Sequence, residues 1–426
     1  MVKRLLASGS GMCAIAGLLL LPLAGAAGSK KAAPGAPPPV RATVQPTLTI
    51  PATPLGFAAP GEFYLGSRNS LVSLDFLDEN RVLFTFRVPG LLHREVNGDG
   101  PEGQRQIRAL VLRLPTGAVE SETVWTVHDR ARYVYMLDGG QFLVRDGNEL
   151  KLGDATLELK PFLRFPGPVE ALEIDPSRKY LVTNSEEPAV TKAKPGEVGS
   201  PATAQAMVTT DETDARDAKE MVVRILRRKS GEVMLVSRVR TAVHLPINDE
   251  GYLETLRGQG MAWTVNFNHF SGGSTILGRV DSVCSPDLSF LSEREFLATA
   301  CDRGGEPWLV AMGMNGKQLW HQSAGGPAVW PLLVVSANGT RLAREVLMAS
   351  HAVSTMAPLG TDDIRGQDVQ VMDAATGKTV LRAAASPVFD AGGNVAISPS
   401  GRRVAILMEG NLQVFDLPEP AALPAQ

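Results

Sequence analysis

Six histidines, three cysteines and one acidic, glycine-rich stretch are the residues with which chemistry could start in this chain. His93, His128, His244, His269, His321 and His351 stand too far apart for any two to ligate a metal ion from one element. His244 lies in the apolar stretch AVHLPI, which reads as a core or channel position. NGDGPEG, residues 97–103, offers oxygen ligands at Asn97, Asp99 and Glu102. A calcium loop needs more carboxylates at alternating positions and a closing bidentate glutamate, so the stretch reads as an Asn-Gly/Asp-Gly turn. There is no Gly-x-Ser-x-Gly elbow, glycine-rich phosphate loop or Cys-x-x-Cys. Asp-Pro-Ser and Asp-Glu-Asn are turn formers here, not paired catalytic acids. No catalytic, cofactor or metal residue is assigned on these grounds. A site built from one residue per repeat would leave no linear motif.

Cys284 and Cys301 flank SPDLSFLSEREFLATA, whose midpoint falls in LSER. A two-residue turn at Ser292 and Glu293 would set the two cysteines opposite each other. Two buried thiols are the alternative, favoured by a slip of the hairpin register. A disulfide across the 16 intervening residues is worth at most ~3 kcal/mol in the chain-entropy picture.

Compartment bears on that pairing. The opening MVKRLLASGSGMCAIAGLLLLPLAGAAGS carries Lys3 and Arg4, an apolar run over residues 12–23 and the small residues Ala24, Gly25 and Ala26. That layout predicts a secretory signal over residues 1–26 and export to the periplasm or beyond the cell, where disulfides persist. An uncleaved membrane anchor is the alternative, but the apolar run is short of the ~20 residues of a span, so no transmembrane segment is expected after cleavage. Cys13 precedes the leucine run, unlike a lipoprotein cysteine. The 42 basic and 45 acidic residues give a net charge of −3, or −5 once two basic residues leave with the signal. Without a basic stripe, nucleic acid is not an expected partner. Residues 27–60 are rich in proline and alanine and read as an extended spacer.

The remainder is periodic. A polar turn followed by a short apolar strand recurs, as in DENRVLFTF, DPSRKYLVT, NDEGYLETL and SPSGRRVAIL. A glycine hairpin alternates with it, as in LRLPTGAVES, LRRKSGEVML and AMGMNGKQLW; glycine supplies the positive φ of tight turns. The first apolar residues after the turns are Val82, Phe142, Tyr180, Tyr252, Phe296, Leu342 and Val404. From Tyr252 and Phe296 the hairpin glycine follows after 20 residues; from Val82, Tyr180 and Leu342 it follows after 35, 51 and 35. Removing these insertions leaves intervals of 45, 38, 41, 44, 46 and 47 residues. The second unit lacks the glycine at that spacing, and short strands are expected around NELKLGDATLEL.

Seven units of about four short strands predict an all-β chain, a seven-bladed β-propeller over residues 61–417 with a tail at 418–426. Twenty residues beyond Val404 nearly reach the end, so the last unit lacks its fourth strand. An N-terminal strand should complete it, and GEFYLGS (residues 61–67) is the expected segment.

NGKQLW and DAATGKTVL resemble the hairpins of quinoprotein-like propellers, and SPSGRRVAILMEGNLQVFDL resembles a WD40- or YVTN-type blade. The resemblance covers residues 61–417 as a repeat pattern. It implies the architecture; members of that broad group include dehydrogenases, lactonases and scaffolds. Quinoprotein enzymes would imply tryptophans placed regularly at the hairpin ends. Only Trp320 follows such a turn and Trp125 is offset, so no quinone or other cofactor is expected.

All three insertions should fall between the second and third strands of a blade. Residues 93–106, 185–219 and 351–367 would then share one face with the connections between blades. The middle one has almost no large apolar residue and is expected to be mobile. The other two supply a candidate rim: Asn97, Asp99 and Glu102 in one, Asp362, Asp363 and Arg365 in the other. The functional expectation is an exported, monomeric, non-catalytic binding or scaffold module for a protein or glycan. The alternative is an exported lactonase-like hydrolase or quinone-dependent dehydrogenase with an axial site. Carboxylates and histidines on the axis would favour the enzyme; an apolar axis would favour the binding module.

Overall fold

The computed structural model describes residues 42–59, 72–88, 105–128, 132–188, 219–323, 331–351, 360–389 and 392–420. Strand β1 (Leu48–Pro51) is followed by seven runs of strands. The first run is β2–β5 (Val72–Asp78, Arg81–Arg87, Arg105–Arg113, Ala118–Val127). The second is β6–β9 (Val134–Met136, Phe142–Asp146, Glu149–Gly153, Lys160–Arg164), short strands as the sequence leads one to expect. The third is β10–β13 (Val169–Ile174, Tyr180–Pro188, Lys219–Arg227, Val233–Val239) and the fourth β14–β16 (Gly251–Arg257, Ala262–His269, Ser274–Asp281). The fifth is β17–β20 (Asp287–Ser292, Glu295–Cys301, Pro307–Gly313, Gln318–Ser323). The sixth is β21–β24 (Leu332–Val335, Arg341–Ala349, Ile364–Asp373, Thr379–Ala385). The last is β25–β27 (Val395–Ile397, Arg403–Met408, Asn411–Asp416).

Each run forms one antiparallel meander, giving seven sheets. Strands alternate side chains between two faces, and here both faces are buried. In β3, Val82, Phe84 and Phe86 pack toward the seventh sheet while Leu83 packs toward the second. Seven apolar clusters result, one between each pair of neighbouring sheets, and the cluster around Ile50, Phe84 and Leu412 joins the first sheet to the seventh. The ring is closed, and the chain is a seven-bladed β-propeller.

The polar turns between first and second strands bind one another around that ring. Asn338 donates to the Ser400 carbonyl, and the Ser400 amide donates to Glu79. Lys179 pairs with Asp249 and Asn248 donates to the Glu293 carbonyl, while Arg228, from the turn between β12 and β13, reaches Asp138 of the neighbouring blade and the Arg178 carbonyl of its own. The same residues that read as turn formers thus also join neighbouring blades.

Closure is by an N-terminal strand, but not by residues 61–67, which lie outside the described residues. It is β1 that pairs with β27, Leu48 against Val414 through Pro51 against Asn411. Residues 48–59 are therefore part of the propeller and not of a spacer: Ile50, Ala52 and Phe57 are buried in the cluster between the seventh and first sheets. The flanking prolines hid the strand. An outermost strand has one solvent side, where a missing N–H goes unnoticed.

Three further differences are local. The fourth sheet has three strands because Pro246 interrupts its axial segment, leaving one isolated bridge, Ile247 to Tyr252. Strands β11 and β12 run on to the pair Pro188–Lys219, so the insertion begins after residue 188. The tail is tied down at its start, where the Pro418 carbonyl accepts from Arg341. Residues 1–26 and 189–218 lie outside the described residues. The three long connections, β3–β4, β11–β12 and β22–β23, do join second to third strands.

Candidate functional site

The first segment of every blade lines a cavity of about 500 Å³ on the axis. Phe76, Met136, Ile174, Ile247, Phe290, Val335 and Ile397, one from each blade, make its wall apolar. Asp75, Arg132, Asp138, Glu173, Arg178 and His244 are the charged side chains that line it.

His244 reaches the axis because its strand is broken. Pro246 cannot extend a ladder, and a side chain substitutes for the missing pairing. The buried carboxamide of Asn184 accepts from the Val243 N–H (2.9 Å) and donates to the Val243 carbonyl (3.1 Å). His244 Nδ1 then sits 2.9 Å from Glu173 Oε1, while Nε2 lies 2.5 Å from the Leu288 carbonyl and 3.5 Å from Asp287. Its side chain is 43% exposed and lines the cavity. Burial alone would depress its pKa. The Glu173 hydrogen bond and the charges of Glu173 and Asp287 outweigh that and lift it to about 9. The two carboxylates thus favour the protonated imidazole, a form suited to donate a proton and not to accept one.

Across the cavity, burial lifts the Asp75 carboxyl to about 6, against the charge of Arg132 and a hydrogen bond from Ser73 Oγ (2.5 Å). Glu345 of β22 is buried and raised to about 8 by desolvation, against the charge of Arg132. Gln367 donates to its Oε2 (2.8 Å), while Oε1 has no hydrogen-bond partner among the described residues. Arg132 donates from Nε to the Val134 carbonyl and lies 5.2 Å over the Tyr135 ring. At the turn-bearing mouth, Arg178 donates to the Asp175 carbonyl (3.1 Å), and burial lowers its pKa. Its backbone is left-handed (φ 60°), and its carbonyl is fixed by Arg228.

The axis therefore meets neither simple expectation: its wall is apolar, yet discrete carboxylates, guanidinium groups and a histidine project into it. Among the described residues no serine, threonine or cysteine hydroxyl or thiol touches His244, and no cluster of three or more His, Cys, Asp or Glu side chains could hold a metal ion. A second His–carboxylate pair lies in the second blade away from this cavity. His128 Nδ1 is 2.7 Å from Asp146, which also accepts from Lys151.

The rim residues divide. Asn97, Asp99 and Glu102 lie outside the described residues. Asp362 and Arg365 are exposed. Asp363 is occupied internally, accepting from Ser350 Oγ and the Gly360 N–H and facing His351 at 3.3 Å. It pins the end of the insertion and does not project from it. Cys284 and Cys301 are joined by a disulfide, with Cα atoms 5.5 Å apart. Ser292 pairs with Glu295, so the turn is Glu293-Arg294, one residue later than expected. Cys284 lies ahead of β17, and the bond ties the entry of the fifth blade to the end of β18.

Trp125 and Trp320, out of phase in sequence, perform one task. Each lies in an outermost strand and donates its indole N–H to the next blade, at Leu157 (3.0 Å) and Ala374 (2.7 Å). Arg132, Glu173 and Arg178 escaped the sequence reading. Counting back from each polar turn to the level of the axial strand is the signal that would have found Glu173.

No protein-family description and no curated protein matches the chain. Among solved structures it is similar to an acylaminoacyl peptidase of Pyrococcus horikoshii, with a TM-score of 0.49 and 10% identity over 84% of this chain and 53% of that one. It is also similar to the β-propeller domain of the Trilobed protease from Pyrococcus furiosus (TM-score 0.45, 11% identity, 82% of this chain, 94% of that one). The WD40 domain of Toxoplasma gondii coronin is a third (0.43, 10%, 92% and 89%). The chain spans about half the length of the peptidase. The propeller assignment rests on the seven sheets themselves.

Proposed function

We propose that the protein is an exported, non-catalytic binding propeller whose partner, a protein or a glycan, docks on the face that carries the three insertions. One observation carries this reading: the longest connections of the first, third and sixth blades all join a second strand to a third. In a ring of like-oriented meanders those connections leave from one face. A rigid scaffold with its long loops gathered on one side is the usual plan of a binding surface. The opposite face is taken up by the short turns that bind neighbouring blades. The alternative, an axial enzyme, is favoured by the carboxylates and the histidine that line the axis, with Asp75 and His244 both raised, while no serine, threonine or cysteine touches His244 among the described residues.

Photo-crosslinking tests the reading. A photoreactive residue is placed at Asn97, Asp362 or Arg365 on one face and at Thr116 or Asn315 on the other, in cells exporting the protein. Adducts from the insertion face alone support it. Adducts from the turn face alone, equally from both, or from neither, overturn it.

A further inference from the structure

Two cations on the axis form no ion pair among the described residues, although Arg132 lies in the field of Asp75 and Glu345 and Arg178 in that of Asp175 and Asp138. Asp138 is engaged by Arg228 at 2.8 Å, and Glu173 by His244 at 2.9 Å. Asp75 is bonded to Ser73. Arg132 and Arg178 have only backbone carbonyls and, for Arg132, the face of Tyr135. No carboxylate stands within ion-pair distance of either guanidinium among the described residues, although both line the same cavity and each lies within the electrostatic field of the other. Two like charges facing one largely apolar space repel, and an anion between them lowers that repulsion beyond what the carboxylates around them supply.

The cavity has the character of a small-molecule pocket: several hundred cubic ångströms, a mainly apolar wall and a few convergent polar groups. Its wall of Phe76, Ile247, Phe290 and Val335 suits an apolar body. Guanidinium groups suit a planar carboxylate, which each can bind in a bidentate manner. The geometry points to an axial site for a small organic carboxylate with an apolar body, its head held by Arg132 and Arg178 and its body against the ring of apolar side chains. This site is separate from the insertion face and does not depend on the partner proposed for it.

The test compares three probes of one shape by calorimetry with the signal-free protein: 3-phenylpropanoate, 3-phenylpropan-1-ol and 3-phenylpropylammonium. The carboxylate should bind at least roughly tenfold more tightly than the alcohol, and the ammonium should bind weakest. The double variant Arg132→Met/Arg178→Met should bind carboxylate and alcohol equally. A parent that ignores the carboxylate, or does not prefer it to the alcohol, overturns the proposal. So does a double variant that keeps the preference. Should that variant not fold, crystals with 3-(4-bromophenyl)propanoate decide: bromine on the axis supports the site, and bromine elsewhere or no bromine overturns it.

Discussion

Ile50 lies directly opposite Leu412 across the last ladder of the ring, so the first and last strands of the described residues share one sheet. The Ile50 side chain also fills the space beside Gly117, where an added Cβ would come within 2.8 Å of it. One residue thus holds the seventh blade to the first blade's hairpin.

Deleting residues 42–59 removes that strand and the buried Phe57. Two such side chains contribute roughly 3–6 kcal/mol, against a typical domain stability of ~5–15 kcal/mol. The deletion should lower the melting temperature severely and expose the edge of β27 to aggregation. Deleting residues 27–41 should leave the melt unchanged. Equal melts for the two truncations would show that β1 does not close the ring.

Asn184 holds the broken axial segment of the fourth blade by its carboxamide. Asn184→Leu leaves the Val243 N–H and carbonyl without these partners, and should cost about 1–3 kcal/mol in urea unfolding. It should also release His244 from Glu173, so that NMR titration finds the imidazole pKa lower than in the parent. An unchanged imidazole pKa would mean that Asn184 does not position this histidine.

Stability should fall from mildly acidic to mildly alkaline pH. Asp75 (about 6), Glu293 (about 7) and Glu345 (about 8) are all raised, chiefly by burial. A raised carboxyl favours folding while protonated, and that contribution is lost as pH climbs from the unfolded value through the folded one. His244 acts in the same direction: its contribution is full below its unfolded value and is lost as pH passes about 9. Carboxylates held low by their partners, such as Asp146 and Glu187, have finished titrating at lower pH. Urea midpoints measured between about pH 5 and pH 9 should therefore decline, and Glu345→Gln should flatten the slope. A midpoint that rises with pH would contradict this.

Reducing the Cys284–Cys301 bond should destabilise by at most ~3 kcal/mol, because the loop it closes is short. Cys284→Ser/Cys301→Ser should give the same decrement and keep the far-ultraviolet circular dichroism of the parent. A double variant that fails to fold would make the bond a condition of the fifth blade and not a brace on it.

Repeat number and blade order were legible in the sequence because they rest on local chemistry. Glycine turns, Asp- and Ser-led turns and short apolar runs each act within a few residues, and their spacing survives insertions. That a strand from the N-terminal side completes the last blade followed from the arithmetic of the repeat. Which tetrapeptide closes the ring did not, since an outermost strand tolerates prolines that elsewhere argue against a strand. His244 was legible as a core or channel position, but the partners it meets on the axis were not. Glu173, His244 and Asp287 belong to three blades and meet only because their axial segments stand side by side around one channel. Nothing in the sequence around Arg132 and Arg178 marks them, and only the ring turns both toward the same cavity. Local turn propensity determined the repeat; closure of the ring alone decided which side chains face one another, because that contact depends on the packing of neighbouring blades and on no spacing within a single one.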